Sequence, residues 1–313
     1  MGPLLLEPFY VSPVWGGSRI AEIRGIPWSE QDRKGEAFDI SAHPTTMGIV
    51  RNGPCATMTL AGAIGAHRAE ILGDVPDDAP LQVTFMDAVE TLSVQVHPGE
   101  RYARMAEGDH GKVEAWYVVH AQEGATLIAG CTTDDRDALR SAAADDSIGN
   151  RYGRRHEVHE GDFVLIPSGM MHALGAGILA VEVSSLGNTT YRICDWGRGR
   201  ELHVEKAFDV LDTTLSPTVT RLGIPDLRSD DEHLGVDAGF FRSYVVDLTG
   251  QRAYACGGRY AVVTCVGGTA RVSTPGGKVI LGVTESCLVP ACSGTYTISG
   301  PCRVLRSVRS PKE

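Results

Sequence analysis

Four residues on three short segments have the types needed to grip one cation. In residues 92–98, LSVQVHP, apolar and polar positions alternate, so Gln95 and His97 project from the same strand face with Cβ atoms about 6–7 Å apart. Glu114 sits in residues 111–119, GKVEAWYVV, a second strand pattern in which a glutamate is unfavourable by propensity and so asks for a reason. His172 ends the pattern G-x5-P-x-G-x2-H over residues 161–172, GDFVLIPSGMMH. There the glycines permit positive φ at the turns, and the proline fixes the bend that delivers the histidine inward. Alone, Gln-x-His describes a strand with a polar outer face, and Glu114 a solvated edge. Together, two imidazoles, a carboxylate and an amide oxygen suit Zn²⁺ and also accept Mn²⁺, Fe²⁺ or Co²⁺. The set has no third histidine and no cysteine, which leaves room for water or a substrate oxygen.

Other polar residues fall on the same strand faces. Lys112 shares a face with Glu114 and Trp116, and Glu182 shares one with Ser184 in residues 177–185, GILAVEVSS. Residues 188–198, NTTYRICDWGR, carry Arg192 and Arg198, six positions apart. They read as an anion or oxyanion clamp, or, more plainly, Arg192 as the ion-pair partner of Asp195. Residues this distant in sequence meet if one sheet curls into a small barrel whose interior is the pocket.

The rest of the chain must supply that sheet. Its 313 residues suffice for one large or two medium domains, and 37 glycines with 16 prolines suit many short strands joined by turns. A net charge of −10 with no long run of either sign excludes non-specific nucleic-acid binding, and an anionic substrate needs a local basic pocket in this acidic field. The eight cysteines include no Cys-x-x-Cys pair and read as reduced thiols of a cytoplasmic protein. The first 17 residues have no basic segment and no apolar run long enough for a signal peptide or membrane span, so no membrane association is expected.

In chain order, residues 1–34 read as an extended arm with turns, and residues 36–42 as a strand in which Phe38, Ile40 and Ala42 alternate with polar positions. A weak helical pattern follows over 57–73, then a strand over 81–86 and a short helix over 101–107. Residues 133–139, TDDRDAL, mark a capped acidic helix, and residues 201–211 a helix bridging to a second unit. From residue 240 the chain is repeated short strands, with no histidine beyond His233. The expected division is residues 1–212 as the metal-binding unit and 213–313 as a metal-free β counterpart.

The segments SVQVHP, GKVEAWYV, GDFVLIPSGMMHA and TTYRICDWGR resemble the signature segments of type I mannose-6-phosphate isomerases of the cupin superfamily, in their short bacterial form. LEPFYVSPVWGG, GEAFDISAHP and MDAVETLSVQVHP extend the likeness over most of residues 4–200. The resemblance implies a mainly β protein of two cupin-type (jelly-roll) β-barrels with short helical insertions. It implies one divalent metal, zinc first, on Gln95, His97, Glu114 and His172. It further implies Arg192 as the active-site arginine, Lys112 and Glu182 near the reacting carbons, and Ser93 and Arg198 near a substrate phosphate.

The implied reaction interconverts mannose 6-phosphate and fructose 6-phosphate through a cis-enediolate, with Glu182 or Lys112 shuttling the proton. Three positions depart from the family pattern: Thr84 stands where lysine is usual, Ser184 where glutamine is, and Phe38-Asp39 where Trp-Glu is common. These motivate two alternatives, a relative acting on another sugar phosphate or sugar-like substrate, and a non-catalytic sugar- or metal-binding cupin. The expected partner is a small sugar phosphate.

Overall fold

A computed structural model describes residues 1–77 and 79–310. The chain is mainly β, and its strands form four antiparallel sheets. One seven-stranded sheet runs in the order Thr218–Arg221, Asp162–Ile166, Glu114–Ala121, Ile178–Ser184, Gln82–Ala88, Glu36–Ile40, Phe9–Val11. A five-stranded sheet faces it, in the order Tyr191–Cys194, Val94–Val96, His172–Ala173, Thr126–Cys131, Gly153–Glu157. The second seven-stranded sheet is Asp231–Asp237, Phe241–Leu248, Cys302–Arg309, Ala261–Gly268, Ser286–Val289, Leu4–Glu7, Ile49–Val50. Its partner has four strands, Gln251–Ala255, Thr295–Ser299, Ala270–Thr274 and Gly277–Leu281.

Packing orders these sheets into four layers. Met86, Trp116, Val118 and Ala180 of the first seven-stranded sheet meet Leu127 and Ala129 of the five-stranded sheet in one core. Val246, Val263 and Val304 meet Val272, Leu281 and Ile298 in another. The largest core lies between the two seven-stranded sheets, where Val83, Phe85, Tyr117 and Val181 pack near Val245, Val262, Leu288 and Leu305. Each seven-stranded sheet is thus covered on both faces. That is why Gln82–Ala88 and Ile178–Ser184 are buried at every position.

Two expectations change. No ladder among the described residues closes either pair of sheets into a barrel: the units are open sandwiches of two sheets. The N-terminal arm is also not a loose extension. Leu4–Glu7 pairs with Ser286–Val289 of the second unit and with Ile49–Val50, and Arg19–Arg24 is a helix ending at Gly25 in the left-handed region. Its apolar Leu4 and Leu6 are buried in the central core, so burial and not local sequence assigns the strand.

Two helices cover the outer face of the five-stranded sheet, whereas Arg19–Arg24 and Leu60–Ile71 pack against the central core. Leu139, Ala142 and Ala143 of Arg136–Ala144, with Ala207 and Phe208 of Val204–Val210, pack on Val94, Val96, Ala173 and Ile193. Asp135 caps the first of these by accepting from the amides of Asp137 and Ala138, as its sequence predicts. No helix among the described residues is long and apolar enough to cross a membrane.

Candidate metal centre

The interior of the first sandwich has a dry end and a polar end. On the seven-stranded sheet, Ile178, Ala180, Val118 and Ala88 fill the dry end. At the other end the ladder pairs Glu182 with Thr84 and with Trp116, and Ser184 with Glu114. On the facing sheet, Arg192, Gln95 and His172 stand directly opposite one another across three neighbouring strands. The four ligand candidates therefore come from two sheets, not one curled sheet. Gln95 and His172 belong to the five-stranded sheet, Glu114 starts a strand of the seven-stranded sheet, and His97 follows Val94–Val96.

Turn chemistry fixes the two histidines. Gly169, at φ 87°, lets the turn after Pro167 fold back so that its amide donates to the His97 carbonyl at 2.9 Å. Ser168 Oγ donates to the Lys112 carbonyl at 2.6 Å, tying the same turn to the strand that carries Glu114. A Cβ at Gly111 would lie 2.2 Å from the Glu100 amide nitrogen, so only glycine permits this close crossing ahead of Lys112.

His97, Glu114 and His172 are all buried, with potential ligand atoms within 4.8 Å of one another. His97 Nδ1 faces the Thr189 carbonyl at 2.9 Å and His172 Nδ1 the Met170 carbonyl at 2.8 Å, so each Nδ1 carries the proton. Each Nε2 then presents a lone pair. His97 Nε2 points at Glu114 Oε2 (3.6 Å) and His172 Nε2 at Glu114 Oε1 (3.3 Å). Lone pairs facing carboxylate oxygens in a dry interior repel unless a cation lies between them. His97 Nε2 and both Glu114 oxygens indeed form no well-aligned hydrogen bond, and the charge facing them is the Lys112 ammonium, 3.1 Å from Glu114 Oε2. Gln95 places its amide 3.3 Å from His172 Nε2, and rotating that amide by half a turn offers Oε1 to the same centre. Burial and the nearby Lys112 charge hold His97 well below its ordinary value, and burial brings His172 down to about 4. Both imidazoles are therefore neutral near pH 7, the form that binds metal, and the donor set fits a divalent cation.

Lys112 joins this centre to the pocket above it. Its Nζ lies 3.1 Å from Glu114 Oε2 and 2.8 Å from Glu182 Oε1. Burial opposes its charge, but the two carboxylates outweigh burial and raise its pKa. Burial and then Glu114 raise the Glu182 carboxyl, more than Lys112 lowers it, and Ser184 Oγ donates to it at 2.9 Å.

The pocket is a cavity of about 410 Å³ whose walls include Ser93, Gln95, Lys112, Glu182 and Arg192. Arg192 Nη1 donates to the Glu201 carbonyl at 2.8 Å, while its Nε has no partner. Arg198 is not on these walls. It lines a separate cavity of about 310 Å³ with Trp196 and Arg155, and it donates to the carbonyls of Asp195 and Thr91, each at 3.0 Å.

Sequence reasoning missed two charged wall residues, Glu36 and Arg200. Burial and then Glu182 push the Glu36 carboxyl up to about 7. The signal for Glu36 was its place at the start of an alternating strand pattern. Arg200 lay in the Gly-Arg-Gly-Arg run, whose loop gives no periodicity to read.

The comparisons agree with this geometry. The family model described as phosphomannose isomerase type I, catalytic domain, matches residues 4–129, and that of the mannose-6-phosphate isomerase cupin domain matches residues 233–309. The chain is 32% identical over 319 residues to the probable mannose-6-phosphate isomerase GmuF of Bacillus subtilis, covering 97% of this chain and 98% of that protein. It is 31% identical to the mannose-6-phosphate isomerase of Streptococcus mutans, with coverage of 97% and 98%. Among solved structures, the mannose 6-phosphate isomerase from Bacillus subtilis superposes with a TM-score of 0.84 at 27% identity, covering 98% of this chain and 99% of that one. Likeness over nearly the whole length, on a fold that brings two histidines and a glutamate together in its interior, makes this chain a member of the type I phosphomannose isomerases.

Proposed function

We propose that the protein interconverts mannose 6-phosphate and fructose 6-phosphate with the aid of one divalent metal, zinc by the preference of a His, His, Glu and Gln donor set. The observation that carries the reading is the buried cluster of His97, Glu114 and His172, in which His97 Nε2 and both Glu114 oxygens have no hydrogen bond, lying beneath a pocket lined by Lys112, Glu182 and Arg192. His97, His172, Glu114 and Gln95 would hold the ion, which supplies Lewis-acid polarisation of the sugar oxygens.

The chain's own groups handle charge and protons. Aldose-to-ketose conversion removes the proton from C2 and returns one to C1, while the C1 oxygen gains a proton and the C2 oxygen loses one. Glu182, with its raised pKa, is assigned as the acceptor of the carbon proton, and Lys112, held protonated beside it, as the donor to oxygen. The Arg192 guanidinium stabilises the developing oxyanion. Ser93 is placed at the phosphate end of the substrate.

Residues 1–212 are read as the metal-binding cupin domain and 213–313 as a metal-free cupin-like domain, each sandwich being an opened jelly-roll barrel. Leu4–Glu7 of the first stitches into the sheet of the second. Eight free cysteines support a cytoplasmic setting.

A second reading keeps the chemistry and changes the sugar. Thr84, on the pocket wall with its hydroxyl unpartnered, stands where the family pattern has lysine. A coupled assay with mannose 6-phosphate, with and without chelator, separates the readings. Chelator-sensitive turnover supports the isomerase, and turnover confined to another hexose phosphate supports the second reading. Tight sugar binding without turnover would sink both.

A further inference from the structure

Resting on the isomerase reading above, we propose that Arg200, not Arg198, takes the phosphate group of the substrate in this protein. The two arginines lie two residues apart but serve different cavities. Gly197 and Gly199 adopt φ values of 77° and 81°, and Trp196 itself sits at 58°, so the chain reverses within three residues. Arg198 is turned away and spent on the backbone: its Nε and Nη2 donate to carbonyls, and its Nη1 lies 3.6 Å from Glu90. Its cavity does not include Lys112, Glu182 or Gln95.

Arg200 lines the cavity above the metal centre. Asp195, which is 1% exposed, fixes it from behind, accepting from Nη2 at 2.5 Å, from Nε at 3.1 Å and from the Arg200 amide at 3.0 Å. The Nη1 edge makes no hydrogen bond among the described residues. Residues 201–203 then run back along Arg192, whose Nη1 donates to the Glu201 carbonyl and whose own carbonyl accepts from the His203 amide at 2.7 Å.

Two guanidiniums thus line one pocket in a chain of net charge −10, and Ser93 lines the same pocket. Like charges so placed repel each other. Burial, and then the charge of Arg200, lower the pKa of Arg192. A dianion with three acceptor oxygens relieves that repulsion, and the planar fork of arginine suits it better than a point charge does. The fork also supplies, from a different element, the positive charge that Thr84 does not.

The test compares R200Q, R200K and R198Q in the metal-loaded, full-length protein, using mannose 6-phosphate as substrate and inorganic phosphate as inhibitor. R200Q should raise the KM and the phosphate inhibition constant together by about ten- to a hundredfold, with kcat reduced less than about threefold. R198Q should change both by less than about threefold. R200K keeps the charge opposite Asp195, so it answers the question if R200Q folds poorly, and it should raise both constants by about three- to tenfold. Constants within twofold of wild type in R200Q, or in R200K where R200Q does not fold, overturn the assignment, as does a large effect in R198Q alone. If the wild type turns over no hexose phosphate, the isomerase reading fails by itself. The rise in melting temperature with inorganic phosphate then decides the anion site: its loss in the Arg200 variant supports the assignment, and its persistence there overturns it.

Discussion

Lys112 Nζ lies between two buried carboxylates, 2.8 Å from Glu182 Oε1 and 3.1 Å from Glu114 Oε2. One of these is a metal-ligand candidate and the other the proposed proton acceptor, so a single ammonium links the electrostatics of the two carboxylates.

Glu182→Gln should therefore lower kcat by roughly 10²- to 10⁴-fold while leaving bound metal at one equivalent. Lys112→Met should lose activity as well, and it should cost about 3–5 kcal/mol of stability because it strands Glu114 and Glu182 without a counter-charge. Steady-state kinetics, metal analysis and urea unfolding read the three quantities. Full activity in Glu182→Gln would remove that residue from proton transfer.

His172→Ala should abolish both metal binding and turnover, because it removes one Nε2 donor and the rigid link from Met170. Elemental analysis after dialysis against chelator checks the first, and the coupled assay the second. Retention of both would show that the ion sits elsewhere.

The metal-free protein should lose stability on mild acidification. The unfolded chain takes up a proton on His172 near pH 6.5, whereas the folded site refuses it until about 4. Between these values the unfolded state binds more protons, so stability is whole above pH 6.5 and falls by about 3 kcal/mol as pH drops toward 4. Urea unfolding of chelator-treated protein at pH 7, 5.5 and 4.5, with His172→Asn alongside, isolates the effect. Equal pH slopes for the two proteins would contradict it.

Thr84→Lys should lower the KM for a phosphorylated substrate by about tenfold, since the side chain is buried on the pocket wall and its hydroxyl has no partner. Measuring KM for mannose 6-phosphate checks this. An unchanged value would mean that position 84 lies away from the phosphate.

Residue type and spacing alone were enough to pick out the side chains that could bind a metal. Alternation put Gln95 and His97 on one strand face, a glutamate on a strand stood out against propensity, and the Pro-Ser-Gly turn announced an inward histidine. The sequence also made the chain rich in short strands, because glycine and proline break anything longer. Which sheet each strand joins was legible only in the folded chain. Periodicity reports the face a side chain takes but not the partner ladder, so Leu4–Glu7 looked like an arm until its leucines were seen buried against the second unit. The fold also decided between Arg198 and Arg200. Where successive residues adopt positive φ, as at Trp196, Gly197 and Gly199, the alternation rule has no strand to act on, and only the folded loop shows which guanidinium reaches the pocket.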